Sequence, residues 1–101
     1  MQTGYYYDKA LGYAQIAAGG LDAAVFVQSA FAGGVVPAGT VMLIIQPETH
    51  AIRMRDDGTN PTAAVGYPLA AGAEFRYTGQ VSLLKAISQV AGAALNVWAF
   101  G

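Results

Sequence analysis

The sequence contains no cysteine, which excludes disulfide cross-links and thiolate metal sites and leaves the redox compartment unread. Charge is scarce as well. Charged residues make up 11 % of the chain, against about 25 % in an average soluble domain. Five basic and six acidic groups give a net charge of -1, so there is no basic field able to track phosphates, and nucleic acid is not an expected partner. No apolar run approaches the roughly 20 residues that a spanning helix needs. The stretch Met1–Asp8 has neither the basic region nor the apolar core of a secretory signal. Neither a membrane partner nor export by such a signal is expected.

Alanine and glycine fill the space that charge leaves, 33 residues between them. Apolar content runs along the whole chain without a linker, so one domain over residues 1–101 is expected. A chain of this length buries roughly two-thirds of its unfolded surface and needs no staple. With so few charges, either the surface is polar and uncharged or much of it is covered by copies of the chain or by a partner. The second alternative is favoured.

The apolar residues come in short bursts punctuated by Gly, Pro, Asp and Asn, the pattern of an all-β sandwich or barrel. Val41–Ile45 is a strand rich in β-branched residues, bounded by Gly39 and Pro47. Alternation predicts a strand in Ala51–Asp56, with Ile52 and Met54 on one face and Arg53 and Arg55 on the other. Glu74–Thr78 alternates in the same way, Phe75 and Tyr77 against Glu74 and Arg76. Leu95, Val97 and Ala99 alternate with Asn96, Trp98 and Phe100. Weaker strands are expected at Tyr13–Ala17 and Ala23–Gln28. The stretch from Ser82 to Ala94 also carries a helical spacing, but Gly92 interrupts it; a strand over Ser82–Ser88 and a turn over Val90–Ala93 are preferred. Asp57–Thr62 is the strongest turn, and Val36–Thr40 and Leu69–Ala73 are two Ala-Gly turns leading into strands. The expected fold is a small antiparallel β-sandwich, jelly-roll-like, with about six to eight short strands.

The segment Ile52–Leu69, with Arg53-Met54-Arg55-Asp56-Asp57-Gly58-Thr59-Asn60-Pro61-Thr62 at its centre, followed by the Pro68-Leu69-Ala70-Ala71-Gly72 turn and a closing hairpin over Val81–Gly101, resembles small structural proteins of tailed bacteriophages. The resemblance spans residues 36–101. It implies a β-sandwich module of a virion: a capsid decoration or cement protein, a head-fibre protein or a tail-associated piece. It implies no catalytic residue, cofactor or metal. Its expected partners are the major capsid protein or another virion protein. The expected assembly is a homo-oligomer, preferably a trimer matched to shell threefold positions. The expected location is the capsid surface of a virion made in a bacterial cytoplasm. The alternative is a glycan-binding or adaptor module of a phage tail or fibre.

Several residues invite chemistry. His50 is the single histidine; Ser29, Ser82 and Ser88 occur, but without a G-x-S-x-G element, and His50 is expected to sit in the turn between two strands. Asp56-Asp57-Gly58-Thr59-Asn60 has oxygen ligands of the calcium-loop type but lacks the alternating acids and distal Glu. It reads as a hairpin-type turn, with a surface calcium shared with a neighbour as the other reading. Arg53, Arg55 and Arg76 are interface candidates. If their strands pair, they gather near Glu74, either as a site for an acidic shell surface or as an exposed face with ion pairs of about 0–1 kcal/mol each. Tyr5, Tyr6 and Tyr7 are interface candidates on an N-terminal arm over residues 1–10 that docks on a neighbour; a core role and a ligand platform are the other readings. Trp98 and Phe100 are expected in the core or at a subunit interface.

Overall fold

The computed structural model describes residues 9–101. Eight strands form: β1 (Ala10–Ile16), β2 (Val25–Phe26), β3 (Met42–Glu48), β4 (Ile52–Arg55), β5 (Tyr67–Leu69), β6 (Phe75–Tyr77), β7 (Lys85–Ser88) and β8 (Ala94–Phe100). They pair as a nested set, all antiparallel: β1 with β8, β2 with β7, β3 with β6 and β4 with β5. Two further pairings, β3 with β8 and β4 with β7, roll this long hairpin into two sheets. Sheet A has the order β1-β8-β3-β6 and sheet B the order β2-β7-β4-β5. This is the jelly roll expected from the sequence, at the upper end of the expected strand number.

Period-two alternation explains the core. Leu43 and Ile45 of β3, Leu95, Val97 and Ala99 of β8, Ile52 of β4 and Ala86 of β7 have no exposed surface. One apolar cluster joins residues of both sheets. Leu21, Val27 and Phe31 belong to it, so the first third of the described chain folds with the sandwich. The strand expected over Ala23–Gln28 is only two residues long. Two 3₁₀ turns, Val27–Ala30 and Ala32–Gly34, follow it, and they bury Val27 and Phe31 in the core.

Two prolines correct the expected limits. β3 was expected to stop at Pro47, yet it runs on to Glu48. The reason is one-sided pairing. β6 covers only Leu43–Ile45, and the Pro47 carbonyl accepts from the Gly72 N–H at 2.8 Å. The missing Pro47 N–H therefore falls where no strand asks for a donor. Pro68 sits inside β5, a strand the sequence pattern did not suggest. β5 is the edge of sheet B, the place where a sheet tolerates proline. The Ala-Gly turns form as expected, with Thr40 N–H donating to the Pro37 carbonyl at 3.2 Å and Ala73 N–H to that of Ala70 at 3.1 Å.

Lys9 exchanges two backbone hydrogen bonds with Gly101, and Ala10 pairs with Phe100. The arm expected over residues 1–10 thus shares its last two positions with the edge of sheet A. Tyr5, Tyr6 and Tyr7 lie outside the described residues. No helix among the described residues is long and apolar enough to cross a membrane.

Candidate functional site

The sandwich presents two outer faces with different chemistry. On sheet B, β4 turns Ile52 and Met54 inward and Arg53 and Arg55 outward, as alternation predicted. Register then adds what the sequence pattern did not show. Arg55 pairs with Lys85, and Lys85 pairs with Phe26, so one row across the face reads Phe26, Lys85, Arg55. The Lys85 ammonium lies 4.7 Å from the centroid of the Phe26 ring, a cation–π distance. It also donates to Asn60 Oδ1 at 2.8 Å. Arg53 Nη1 donates to the Gly66 carbonyl at 2.9 Å. With the Gln89 amide turned so that its oxygen faces the guanidinium, Arg53 donates to it from Nε at 2.8 Å and Nη2 at 3.1 Å. Three of the five basic groups therefore share this face.

Arg76 is not among them. It was expected to join Arg53 and Arg55 near Glu74 if their strands paired. β6 instead pairs with β3 in sheet A, while β4 pairs with β5 and β7 in sheet B. Alternation assigns a side chain to one face of its own strand, but it does not say which sheet the strand joins. Arg76 lies on the opposite outer face, with Nη1 3.9 Å from Met42 Sδ.

The acidic loop is engaged within the chain. Asp57 makes the one ion pair among the described residues, with Arg55 at 2.5 Å, and accepts from the Thr59 N–H at 3.3 Å. The Arg55 hydrogen bond lowers the Asp57 carboxyl to about 2 and raises the Arg55 guanidinium in return. Asp56 accepts from the Tyr77 hydroxyl at 2.7 Å. Burial, reinforced by that bond, pushes the Tyr77 phenol up to about 12. Among the described residues no group of three His, Cys, Asp or Glu is arranged to hold a metal ion. Next to this loop is a cleft of 170 Å³, lined by Met54, Arg55, Asp56, Tyr67, Phe75, Tyr77 and Leu84. Here the two sheets part between the edge strands β5 and β6. Tyr67 and Phe75 bridge the gap with ring centroids 5.1 Å apart, and Phe75 and Tyr77 are 6.4 Å apart.

His50 is exposed in the β3–β4 turn, where its N–H donates to the Glu48 carbonyl at 2.8 Å. Thr49 beside it has φ +68°, a costly conformation for a β-branched residue.

On the outer face of sheet A, register builds one row from four strands: Tyr13, Trp98, Ile44 and Arg76. Tyr13 is 53 % exposed, and its ring centroid is 5.1 Å from that of Trp98 at an interplanar angle of 45°. Trp98 and Phe100 thus stand outside the core, because the inward set of β8 is Leu95, Val97 and Ala99. The next row holds Gln15, Asn96 and Gln46. Asn96 Oδ1 accepts from the Tyr13 hydroxyl at 2.6 Å and from Gln15 Nε2 at 3.2 Å. Asn96 Nδ2 donates to Glu48 Oε2 at 2.6 Å, and Gln15 Nε2 reaches the same oxygen at 3.1 Å. Tyr13, Gln15, Glu48 and Asn96 were not singled out as site residues in the sequence. Their strands were legible, but the pairing that aligns them was not.

No family model, curated protein or solved structure matches this chain. The fold alone does not choose a function, since jelly rolls serve viral shells and lectins alike.

Proposed function

We propose that the chain is a non-enzymatic virion structural protein, a capsid decoration or cement protein that lies on the phage head shell and stabilises it. The observation that carries this reading is the outer face of sheet B. Arg53, Arg55 and Lys85 stand there together, with Phe26 beside Lys85, in a chain that has only five basic groups. Among the described residues, only Asp57 offsets them through an ion pair. The resemblance of residues 36–101 to phage structural proteins supports the same reading.

Acidic groups on a shell are the complement of such a face. The Nε–Nη2 edge of Arg55 grips Asp57 and that of Arg53 the Gln89 oxygen, and these bonds orient the remaining Nη hydrogens toward a shell carboxylate. Charge steers the approach, while burial of Phe26 and its surroundings supplies roughly 25 cal/mol per Å² of apolar area, less the cost of association. A modest term per copy, repeated over a symmetric shell, reinforces the whole. A trimer at threefold positions is the assembly that matches shell symmetry, and Tyr5, Tyr6 and Tyr7 are proposed to contribute to that contact.

Quantitative mass spectrometry of purified virions against the major shell protein tests the reading. A decoration protein is present in hundreds of copies. A handful of copies places the chain in the neck, tail or fibre, and absence from the virion overturns the proposal.

A further inference from the structure

The outer face of sheet A has a construction that shell docking leaves unexplained. Two aromatic rings, Tyr13 and Trp98, lie side by side at its surface. A polar row adjoins them about 7 Å further along the strands, two residues at the usual strand rise. That row is held in one arrangement. Asn96, which is 7 % exposed, uses both ends of its amide to tie Tyr13, Gln15 and Glu48 together. Glu48 Oε1, the Gln15 side-chain carbonyl and the Trp98 indole N–H form no hydrogen bond with any described residue; the bonds in this row use Glu48 Oε2 and Gln15 Nε2. Glu48 has no cation within ion-pair distance among the described residues.

This combination discriminates between occupants. A second protein surface laid over the rings strips water from Glu48 and the two amides, a cost that an apolar patch does not repay. A sugar behaves otherwise. Its C–H face covers the rings, and its hydroxyls replace water on the open carboxylate oxygen, the open carbonyl and the indole N–H. The fixed row also meets the requirement that polar groups in a binding site be locked by neighbours before the ligand arrives. Arg76 lies at the far end of the ring row, two strands from Trp98, whereas the unneutralised Glu48 carboxylate is bonded into the polar row beside the rings, so an anionic sugar is disfavoured.

We propose that the outer face of sheet A is a carbohydrate-binding site that takes a neutral pyranoside, with Tyr13 and Trp98 as the stacking surface and Glu48, Gln15 and Trp98 Nε1 as the hydroxyl partners. The site goes beyond the decoration reading and does not depend on it. It lies on the other sheet, and its test uses the isolated full chain without a shell.

Trp98 is the single tryptophan, so its emission reports on this face alone. Glucose, galactose, mannose and N-acetylglucosamine are titrated into the full-length protein, with N-acetylneuraminic acid as the anionic comparison. Trp98 emission and the amide resonances of Tyr13, Gln15, Asn96 and Trp98 are followed. At least one neutral sugar is expected to saturate these signals, with the anionic sugar weaker. Tyr13→Ala weakens that sugar about tenfold through loss of one aromatic contact, while Tyr13→Phe keeps most of the affinity. Gln15→Ala weakens it severalfold, and Arg53→Ala on the opposite face leaves it unchanged. The proposal is overturned if no neutral sugar moves the signals, if the anionic sugar binds more tightly, or if a folded Tyr13→Ala protein binds as the parent does.

Discussion

The two sheets solve the same core problem and finish their outer faces in opposite ways. Sheet B turns Arg53, Arg55 and Lys85 outward and leaves them mostly without carboxylate partners. Sheet A turns out Tyr13, Trp98 and Ile44 beside an amide–carboxylate row that Asn96 ties together and that keeps Glu48 Oε1 open. Their buried polar groups differ in the same sense. Asn96 of sheet A has a partner at both ends of its amide. Ser88 of sheet B has a buried hydroxyl with none. A single alternation rule produces both sheets, so the contrast arises from which strands become neighbours and not from the strands themselves.

The largest way to break the contrast is to reverse the sign of one face. Arg53→Glu combined with Lys85→Glu is expected to lower shell binding by about a hundredfold or more, since like charges across an interface cost several kcal/mol. Saccharide binding by the same protein stays intact. Shell binding should also weaken as salt rises. Unchanged binding in a pull-down with purified shells would remove the role assigned to sheet B.

Next in size is Asn96→Ala. It strips partners from Tyr13, Gln15 and Glu48 on a half-buried face and is expected to destabilise by about 2–3 kcal/mol in urea unfolding. Ser88→Ala should do the opposite, stabilising by up to about 1 kcal/mol, because a buried hydroxyl without a partner is lost. Equal effects from the two would erase the difference between the sheets. Thr49→Gly relieves a positive φ at the β3–β4 turn and should raise stability by up to about 1 kcal/mol, gained against the greater entropy of an unfolded glycine.

A pH dependence is expected at the open side of the sandwich. The Tyr77 phenol is raised from about 10 to about 12 in the folded chain, so the folded state holds its proton more tightly. Stability from this group is complete below pH 10 and is lost as pH rises towards 12. Asp57 works in the other direction. Its carboxyl is lowered to about 2, so its contribution is present above about pH 4 and is lost as pH falls towards 2. Tyr77→Phe should flatten the alkaline arm of a stability–pH curve and leave the acid arm in place.

Most of the fold was legible because the strands that matter carry period-two patterns. Ile52–Arg55 and Leu95–Phe100 display which side chains enter the core. β5 was hidden because three residues with a central proline carry no period, and an edge position makes that proline tolerable. The stop expected at Pro47 failed for a related reason, the one-sided pairing of β3. The candidate sites were less legible. Arg53 and Arg55 share a face by local alternation, whereas Lys85, Phe26 and the exclusion of Arg76 depend on long-range register. Tyr13 and Asn96 are 83 positions apart, and no local pattern links them.

Hydroxyl-radical footprinting of the chain on purified virions, compared with the isolated protein, tests the central claim most directly. If sheet B faces the shell and sheet A faces outward, Phe26 and Ile87, which pairs with Arg53 on the outer face of sheet B, become protected while Tyr13 and Trp98 react as in the free protein. Protection of Tyr13 and Trp98 with Phe26 unchanged would contradict the assignment of the two faces.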